Sequence, residues 1–304
     1  MKTSLDHLPE AKRRQLARAL EILREEFEDA LAGGEADFKK KGRILKVILF
    51  GSYGRGDWVD EPHTGKGYRS DYDLLVIVNN RKLTDFTRYW NNAADRLLND
   101  RELKGIQVSF IVHSRREVNT EIKRGHGFFC DIRSQGIVLY ELDSEPLAEP
   151  QPMSVAEQLK VAQSHYESRF PHAEGFVIGA EFHWKGGRPN HAAFELHQAI
   201  EHAYSTVLLV LKNYGPPSHN LRFLRGVAEG LDRRLVEAWP HGQQRYVAWF
   251  NTINDAYVKA RYSMHYQISD EALSFLVERT QVLHALVKTV CEDYLAGLTG
   301  ENRR

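Results

Sequence analysis

Hydrophobic positions fall into two regimes along the chain. Through about residue 140, short apolar runs alternate with helical stripes; from Ser154 onward the period is helical, with no convincing strand. The runs Leu45 to Phe50, Asp71 to Val78, Ile106 to Val112 and Gly136 to Tyr140 are short and mostly apolar, and they predict four strands. Ahead of them, Leu8, Leu16, Leu20, Leu23, Phe27 and Leu31 form one stripe among alternating charges, which predicts a helix over 7–32 that stops at Gly33-Gly34. Thr84 to Asn99 predicts a second helix, with Thr84 as N-cap and Phe86, Tyr89, Trp90, Ala93 and Leu97 facing inward. Ser114 to Lys123 predicts a third, and Gly125 to Ile132 reads as a break that leaves His126 solvated.

Residues 142–152 concentrate proline and acid and predict the link between domains. Ser154-Val155-Ala156-Glu157 is a capping box that opens a long helix, with Gly186-Gly187 ending that helix or a successor. Further helices are expected from Pro189 toward Leu211, then over Leu221 to Gly230, Arg245 to Arg261 and Asp270 to Leu298, with Ser269 available as a cap. The expected architecture is α+β in two domains: a mixed sheet with flanking helices over 1–145, a linker over 146–153, and an all-α bundle of four or five helices over 154–304.

The candidate chemistry gathers in residues 46–78. The first apolar run ends at Gly51-Ser52, and Gly54 and Gly56 follow closely, leaving room for backbone N–H groups to approach phosphates, with Arg55 adding a cation. Asp71 and Asp73 open the second run at a spacing of two, which sends both carboxylates to one face. A hard divalent cation takes one or two carboxylates together with substrate phosphate oxygens, so Asp71 and Asp73 are the candidate metal ligands, and Gly51, Ser52, Arg55 and Ser70 the candidate nucleotide contacts. The plain alternative is a tight turn at Gly51-Ser52 and a strand start at Ser70 and Asp71.

Gly51-Ser52, a spacer, then Asp71-Tyr72-Asp73 in an apolar strand resembles the nucleotidyltransferase superfamily of DNA polymerase β and the minimal nucleotidyltransferases. The resemblance implies transfer of a nucleoside monophosphate from an NTP, ATP first among them, with Mg²⁺ or Mn²⁺. Two departures stand out. The spacer carries an insert from Asp57 to Tyr68, and the third strand, where active members usually place a third carboxylate, shows Gln107 and Ser109. Asp57, Asp60 and Glu61 of the insert are the acids that could substitute.

Composition narrows the classes further. The 304 residues are 42% hydrophobic and 27% charged, with 41 basic and 41 acidic side chains, so no global field announces a nucleic-acid or membrane-surface binder. Cys130 and Cys291 lack metal-ligand spacing, and no apolar stretch reaches the length of a membrane span, so a soluble cytoplasmic protein is expected.

In the C-terminal half, Leu196 to Ala203, the turn around His219-Asn220 and Ala260 to Tyr266 together resemble the HEPN family of α-helical domains, in the form fused to a nucleotidyltransferase. The resemblance implies a homodimer through the helical domain and a metal-independent ribonuclease site, with Arg261 stabilising phosphate and His265 moving the proton. Three residues separate Arg261 and His265, one fewer than the usual short form of that motif, and a helix C-terminus where basic groups meet the macrodipole explains the segment equally well. His197 and Glu201 share a helix face and read as a buried polar pair bracing helices; His219-Asn220 reads as a capping turn. Three functions are therefore in play. One is a transferase whose acceptor is RNA such as tRNA or a protein tyrosine, Tyr262 or Tyr266 of this chain included, in a toxin–antitoxin-like arrangement. The second is a HEPN ribonuclease governed by a nucleotide-binding domain, and the third a nucleotide-binding scaffold.

Overall fold

The computed structural model describes residues 1–60, 70–104, 106–151, 153–240 and 243–301. Those up to residue 151 form one compact unit and those from Met153 onward another. No helix among the described residues is long and apolar enough to cross a membrane.

The first unit is a four-stranded mixed sheet carrying helices on both faces. Its elements in order are α1 (Glu10–Leu31), α2 (Asp37–Lys40), β1 (Ile44–Phe50), α3 (Gly51–Arg55), β2 (Tyr72–Val78), α4 (Phe86–Tyr89), α5 (Asn91–Asn99), β3 (Val108–Ser114), α6 (Arg115–Lys123), α7 (Gly127–Gln135) and β4 (Ile137–Glu141). The strands lie in the order β3-β2-β1-β4, with β1 antiparallel to β2 and β4, and β2 parallel to β3. Both central strands are buried along their whole length, which is why they read as nearly continuous apolar runs rather than as alternation. On one face Val47, Leu49, Tyr72, Leu74 and Val76 pack with Leu16, Ile22, Leu23 and Phe27 of α1 and with Trp90, Ala93 and Leu97. On the other, Phe50 meets Phe128 edge-on at 5.4 Å and His113 meets Phe129 at 5.2 Å, so α7 covers the face that also carries Asp73.

Several local expectations are corrected. The stretch from Thr84 to Asn99 is not one helix. A 3-10 turn spans Arg81–Thr84, the side chain of Asp85 rather than Thr84 caps α4, and the chain breaks at Trp90. The break follows from burying the indole, which stacks on Phe27 at 4.8 Å and donates Nε1–H to the Leu83 carbonyl at 2.8 Å. Gly125 to Ile132 is not a plain break either, because α7 starts at Gly127 and buries Phe128, Phe129 and Ile132. His126 just before it pairs with Glu121 instead of standing free in water. Between the sheet and the second unit, Arg115 grips Asp143 and Glu145, Ala148 N–H donates to Asn119 Oδ1 at 2.9 Å, and Leu147 is buried.

The second unit is all helical: α8 (Val155–Lys185), α9 (Pro189–Lys212), α10 (Leu221–Leu231), a 3-10 segment Arg233–Ala238, α11 (Gln244–Tyr262) and α12 (Asp270–Glu301). Ser154 and Glu157 close the capping box reciprocally, and Ser269 Oγ accepts from Ala272 N–H at 3.2 Å at the head of α12. α9 is the central helix, burying Leu196, Ile200, Tyr204 and Leu208 among others, and Trp239 Nε1–H donates to the Tyr204 hydroxyl at 2.7 Å inside that core.

Candidate active site

In the sheet unit, antiparallel pairing brings the end of β1 beside the start of β2, with Phe50 opposite Asp73. The chain turns out of β1 at Gly51 with φ +66°, and a Cβ added there would lie 2.3 Å from Asp73 Oδ2. Gly51 is thus needed twice, for a left-handed backbone and for the close approach of a carboxylate. Ser52 follows in the first turn of α3, half-buried, and Gly56 at φ +93° ends that helix.

Asp73 is 8% exposed. Burial raises its proton affinity well above the ordinary carboxylate range, the neighbouring Asp71 charge raises it further, and the field of Arg55 partly offsets both. Asp71, Asp73 and Arg55 therefore share one electrostatic environment at the mouth of β2. Arg55 also contacts Asp57 at 3.2 Å. Ser70 is held differently: its hydroxyl accepts from Val59 N–H at 2.9 Å and its own N–H donates to the Val59 carbonyl, so it closes the base of the insert and is itself buried.

The parallel register places Ser109 of β3 directly beside Asp73, and Gln107 Nε2 donates to the Ser109 hydroxyl at 3.1 Å. Neither substitute acid in the described part of the insert takes up the missing place. Asp57 pairs with Arg55, whereas Asp60 pairs with Lys12 at 2.7 Å and lies close enough to the Tyr72 hydroxyl to raise its proton affinity, on the α1 side of the sheet. Glu61 and the rest of the insert to Tyr68 lie outside the described residues. Among those described, no group of three acidic, histidine or cysteine side chains is arranged to hold a metal ion. The crowding of two carboxylates in a buried, cation-flanked site nonetheless suits a divalent ion that arrives with its own phosphate ligands.

In the helical unit, Arg261 and His265 are both exposed, and no hydrogen bond, ion pair or ring stacking between described residues joins them. Arg261 Nε–H donates to the Tyr257 carbonyl at 2.6 Å, and its guanidinium lies 4.4 Å from the Tyr257 ring centre, 4.9 Å from Phe194 and 5.0 Å from Tyr262. Tyr262 is 76% exposed, whereas Tyr266 is 8% exposed and donates its hydroxyl proton to the Thr252 carbonyl at 3.1 Å. Burial raises the proton affinity of Tyr266 as well, so Tyr262 is the more accessible of the two hydroxyls.

Asn220 does cap α10, accepting from Arg222 and Phe223 N–H. His219, next to it, is a functional candidate that spacing alone does not reveal. Its Nδ1 lies 2.9 Å from Glu201 Oε2, its ring stacks on Tyr257 at 3.8 Å, and its carbonyl lies 3.0 Å from His197 Nε2. His197 is fully buried, its Nδ1 has no hydrogen-bond partner among the described residues, and burial with the nearby His219 and Arg261 lowers its pKa to about 3. Glu201 and His219 are eighteen positions apart, across the end of α9 and a turn, so no helical period could have linked them.

At Gly51 a side chain would run into Asp73, the buried acid of the Asp-x-Asp pair, so the turn and the carboxylate stand together as the resemblance to the nucleotidyltransferase class expects. Comparison with known proteins agrees. A Methanocaldococcus jannaschii protein named "putative protein adenylyltransferase" is 36% identical over 103 residues, covering 34% of this chain and 84% of that relative. The HEPN domain family matches residues 166–290. The chain belongs to the nucleotidyltransferase family, in a form that carries a HEPN domain in the same polypeptide.

Proposed function

We propose that the sheet unit transfers a nucleoside monophosphate, AMP first among them, from an NTP to a hydroxyl of a protein or RNA acceptor. The observation that carries this is the approach of Gly51 to Asp73, which leaves no room for a side chain between the phosphate-loop turn and the carboxylate pair. Asp71 and Asp73 are the residues that would hold Mg²⁺ or Mn²⁺, an ion that neutralises triphosphate charge and polarises the α-phosphorus when bound. Gly51 and Ser52 offer backbone to the phosphates, and Arg55 adds positive charge at the same mouth. As the acceptor oxygen bonds to the α-phosphorus, the bond to pyrophosphate breaks and the acceptor proton is released.

The acceptor follows from what stands beside Asp73. With Gln107 just before β3 and Ser109 on it, that strand carries no carboxylate to act as general base. A phenol ionises near pH 10, about 10⁵ to 10⁶ times more readily than water, so a tyrosine acceptor demands less of a base than a ribose hydroxyl does. Tyr262, of this chain or of a second copy in a homodimer, meets that need by its exposure. The relative named as a protein adenylyltransferase supports a protein acceptor. The test is incubation with each α-labelled NTP and Mg²⁺, alone and with bulk tRNA, beside Asp71→Ala and Asp73→Ala. Label on wild-type protein only is the expected result, and label on tRNA would make RNA the acceptor. NTP binding without transfer to either would overturn the transferase and leave a nucleotide-binding scaffold.

A second reading makes the helical unit a toxin-like ribonuclease under nucleotide control. It is favoured by Arg261, an exposed guanidinium within 5.0 Å of three aromatic ring centres and paired with no described carboxylate. Such a group suits a phosphate.

A further inference from the structure

The helical unit presents one cluster whose chemistry exceeds bracing. His219 from the turn before α10 and Arg261 of α11 both lie against the Tyr257 ring, and Glu201 of α9 holds His219. The carboxylate of Glu201 can only accept, so the proton of a neutral His219 sits on Nδ1 and the lone pair on Nε2. His219 is 52% exposed in its side chain, while Glu201 is 14% exposed, so the carboxylate is the held partner and the imidazole the presented one. Below them, His197 holds the His219 carbonyl. A carbonyl also only accepts, which fixes the His197 proton on Nε2 and leaves its buried Nδ1 as an unpartnered lone pair 4.0 Å from Glu201 Oε2. That lone pair offers Glu201 no hydrogen bond, so the carboxylate's best partner is His219.

A carboxylate that fixes an imidazole tautomer, with a guanidinium against the same Tyr257 ring and paired with no carboxylate among the described residues, supplies the parts of a general base and an oxyanion stabiliser. The rings of Tyr257, Phe194 and Tyr262 around Arg261 add stacking surface for bases. We propose that His219, oriented by Glu201, is the proton acceptor that works with Arg261 on an RNA phosphodiester, in place of His265; this rests on the ribonuclease reading of the helical unit. RNA suits the pair because its own 2′-hydroxyl supplies the nucleophile. His219 Nε2 takes the 2′-hydroxyl proton, O2′ bonds to phosphorus, and the bond from phosphorus to O5′ breaks. The leaving O5′ takes a proton from water. The products are a 2′,3′-cyclic phosphate and a 5′-hydroxyl, and His219 returns its proton to solvent. Arg261 faces the charge that builds on the phosphoryl oxygens. Glu201 is a positioning residue, acting through His219.

The experiment is cleavage of a single-stranded RNA by the full-length protein in the presence of chelator, with products read as cyclic phosphates, for wild type, His219→Ala, His265→Ala, Arg261→Ala and Glu201→Gln. Expected is a loss of about 10²–10⁴-fold for His219→Ala with His265→Ala within a few-fold of wild type. For Glu201→Gln, kcat falls with KM unchanged, and ¹⁵N NMR shows the ring tautomers of His219 redistributed. Loss in His265→Ala with His219→Ala active would overturn the assignment while leaving a ribonuclease. No cleavage by wild type, or cleavage equal in Arg261→Ala, would overturn the ribonuclease reading and the assignment together. Thermal melts of the folded variants separate either outcome from unfolding.

Discussion

Replacing Gly51 by alanine tests the geometry of the candidate active site at its tightest point. The backbone there has φ +66°, and the new Cβ would stand 2.3 Å from Asp73 Oδ2 and 3.2 Å from its Cγ. A side chain in the left-handed region costs about 1–2 kcal/mol, before any cost of moving the carboxylate. For a protein of this size each kcal/mol shifts the melting midpoint by about 2–4 °C, so Gly51→Ala should lower it by roughly 2–8 °C. Asp73 cannot yield freely, because it is buried between strands, so either the carboxylate or the turn must shift by the order of an ångström. A displacement of that size costs about 10²-fold in rate when it moves groups that position a substrate. Gly175 in α8 is the control: nothing lies within 4 Å of its would-be Cβ, and alanine there should stabilise by about 0.4–1 kcal/mol through the unfolded chain. Nucleotidyl transfer and thermal melting are measured on both variants. Full transfer with an unchanged midpoint in Gly51→Ala would refute the close approach.

Further expectations follow from individual contacts. Burial and the Asp71 charge make Asp73 bind its proton more tightly folded than unfolded, so its contribution to stability is present at low pH and is lost as pH rises toward its folded pKa. Asp73→Asn should therefore abolish transfer yet raise the melting midpoint, and more so at pH 8 than at pH 5; an equal change at both would count against the buried charge. Tyr262→Phe should remove label from the protein, whereas Tyr266→Phe should keep it and lose about 1 kcal/mol with the bond to the Thr252 carbonyl, as read by peptide mapping and denaturant melts. Tyr204→Phe leaves the buried Trp239 indole N–H without its acceptor and should cost about 1–3 kcal/mol of helical-unit stability by urea titration.

The sheet was legible because its strands announce themselves by burial on both sides. The runs from Leu45 and from Asp71 predict β1 and β2 to within a residue. Helix ends were legible where a side chain makes the cap, as at Ser154, Asn220 and Ser269. What failed was decided by tertiary contact. The periodicity from Thr84 to Asn99 is helical, but burying Trp90 against Phe27 and the Leu83 carbonyl outweighs one unbroken helix. The Gly125-His126-Gly127 signal marked a turn and concealed the buried phenylalanines that make α7 helical. For the site, Gly51, Asp71 and Asp73 could be found because a turn and a period of two are local. Ser109 beside Asp73 depends on strand register, and Glu201 beside His219 on the return of the chain after α9; neither is written in any local spacing.

The most direct test is the intact mass of the full-length protein after incubation with ATP and Mg²⁺, wild type beside Asp73→Asn. A gain of one adenylyl group on wild type, absent in the variant and mapped to the peptide carrying Tyr262, is the predicted result. An unchanged mass, with ATP bound and no label passing to RNA, would contradict nucleotidyl transfer by this chain.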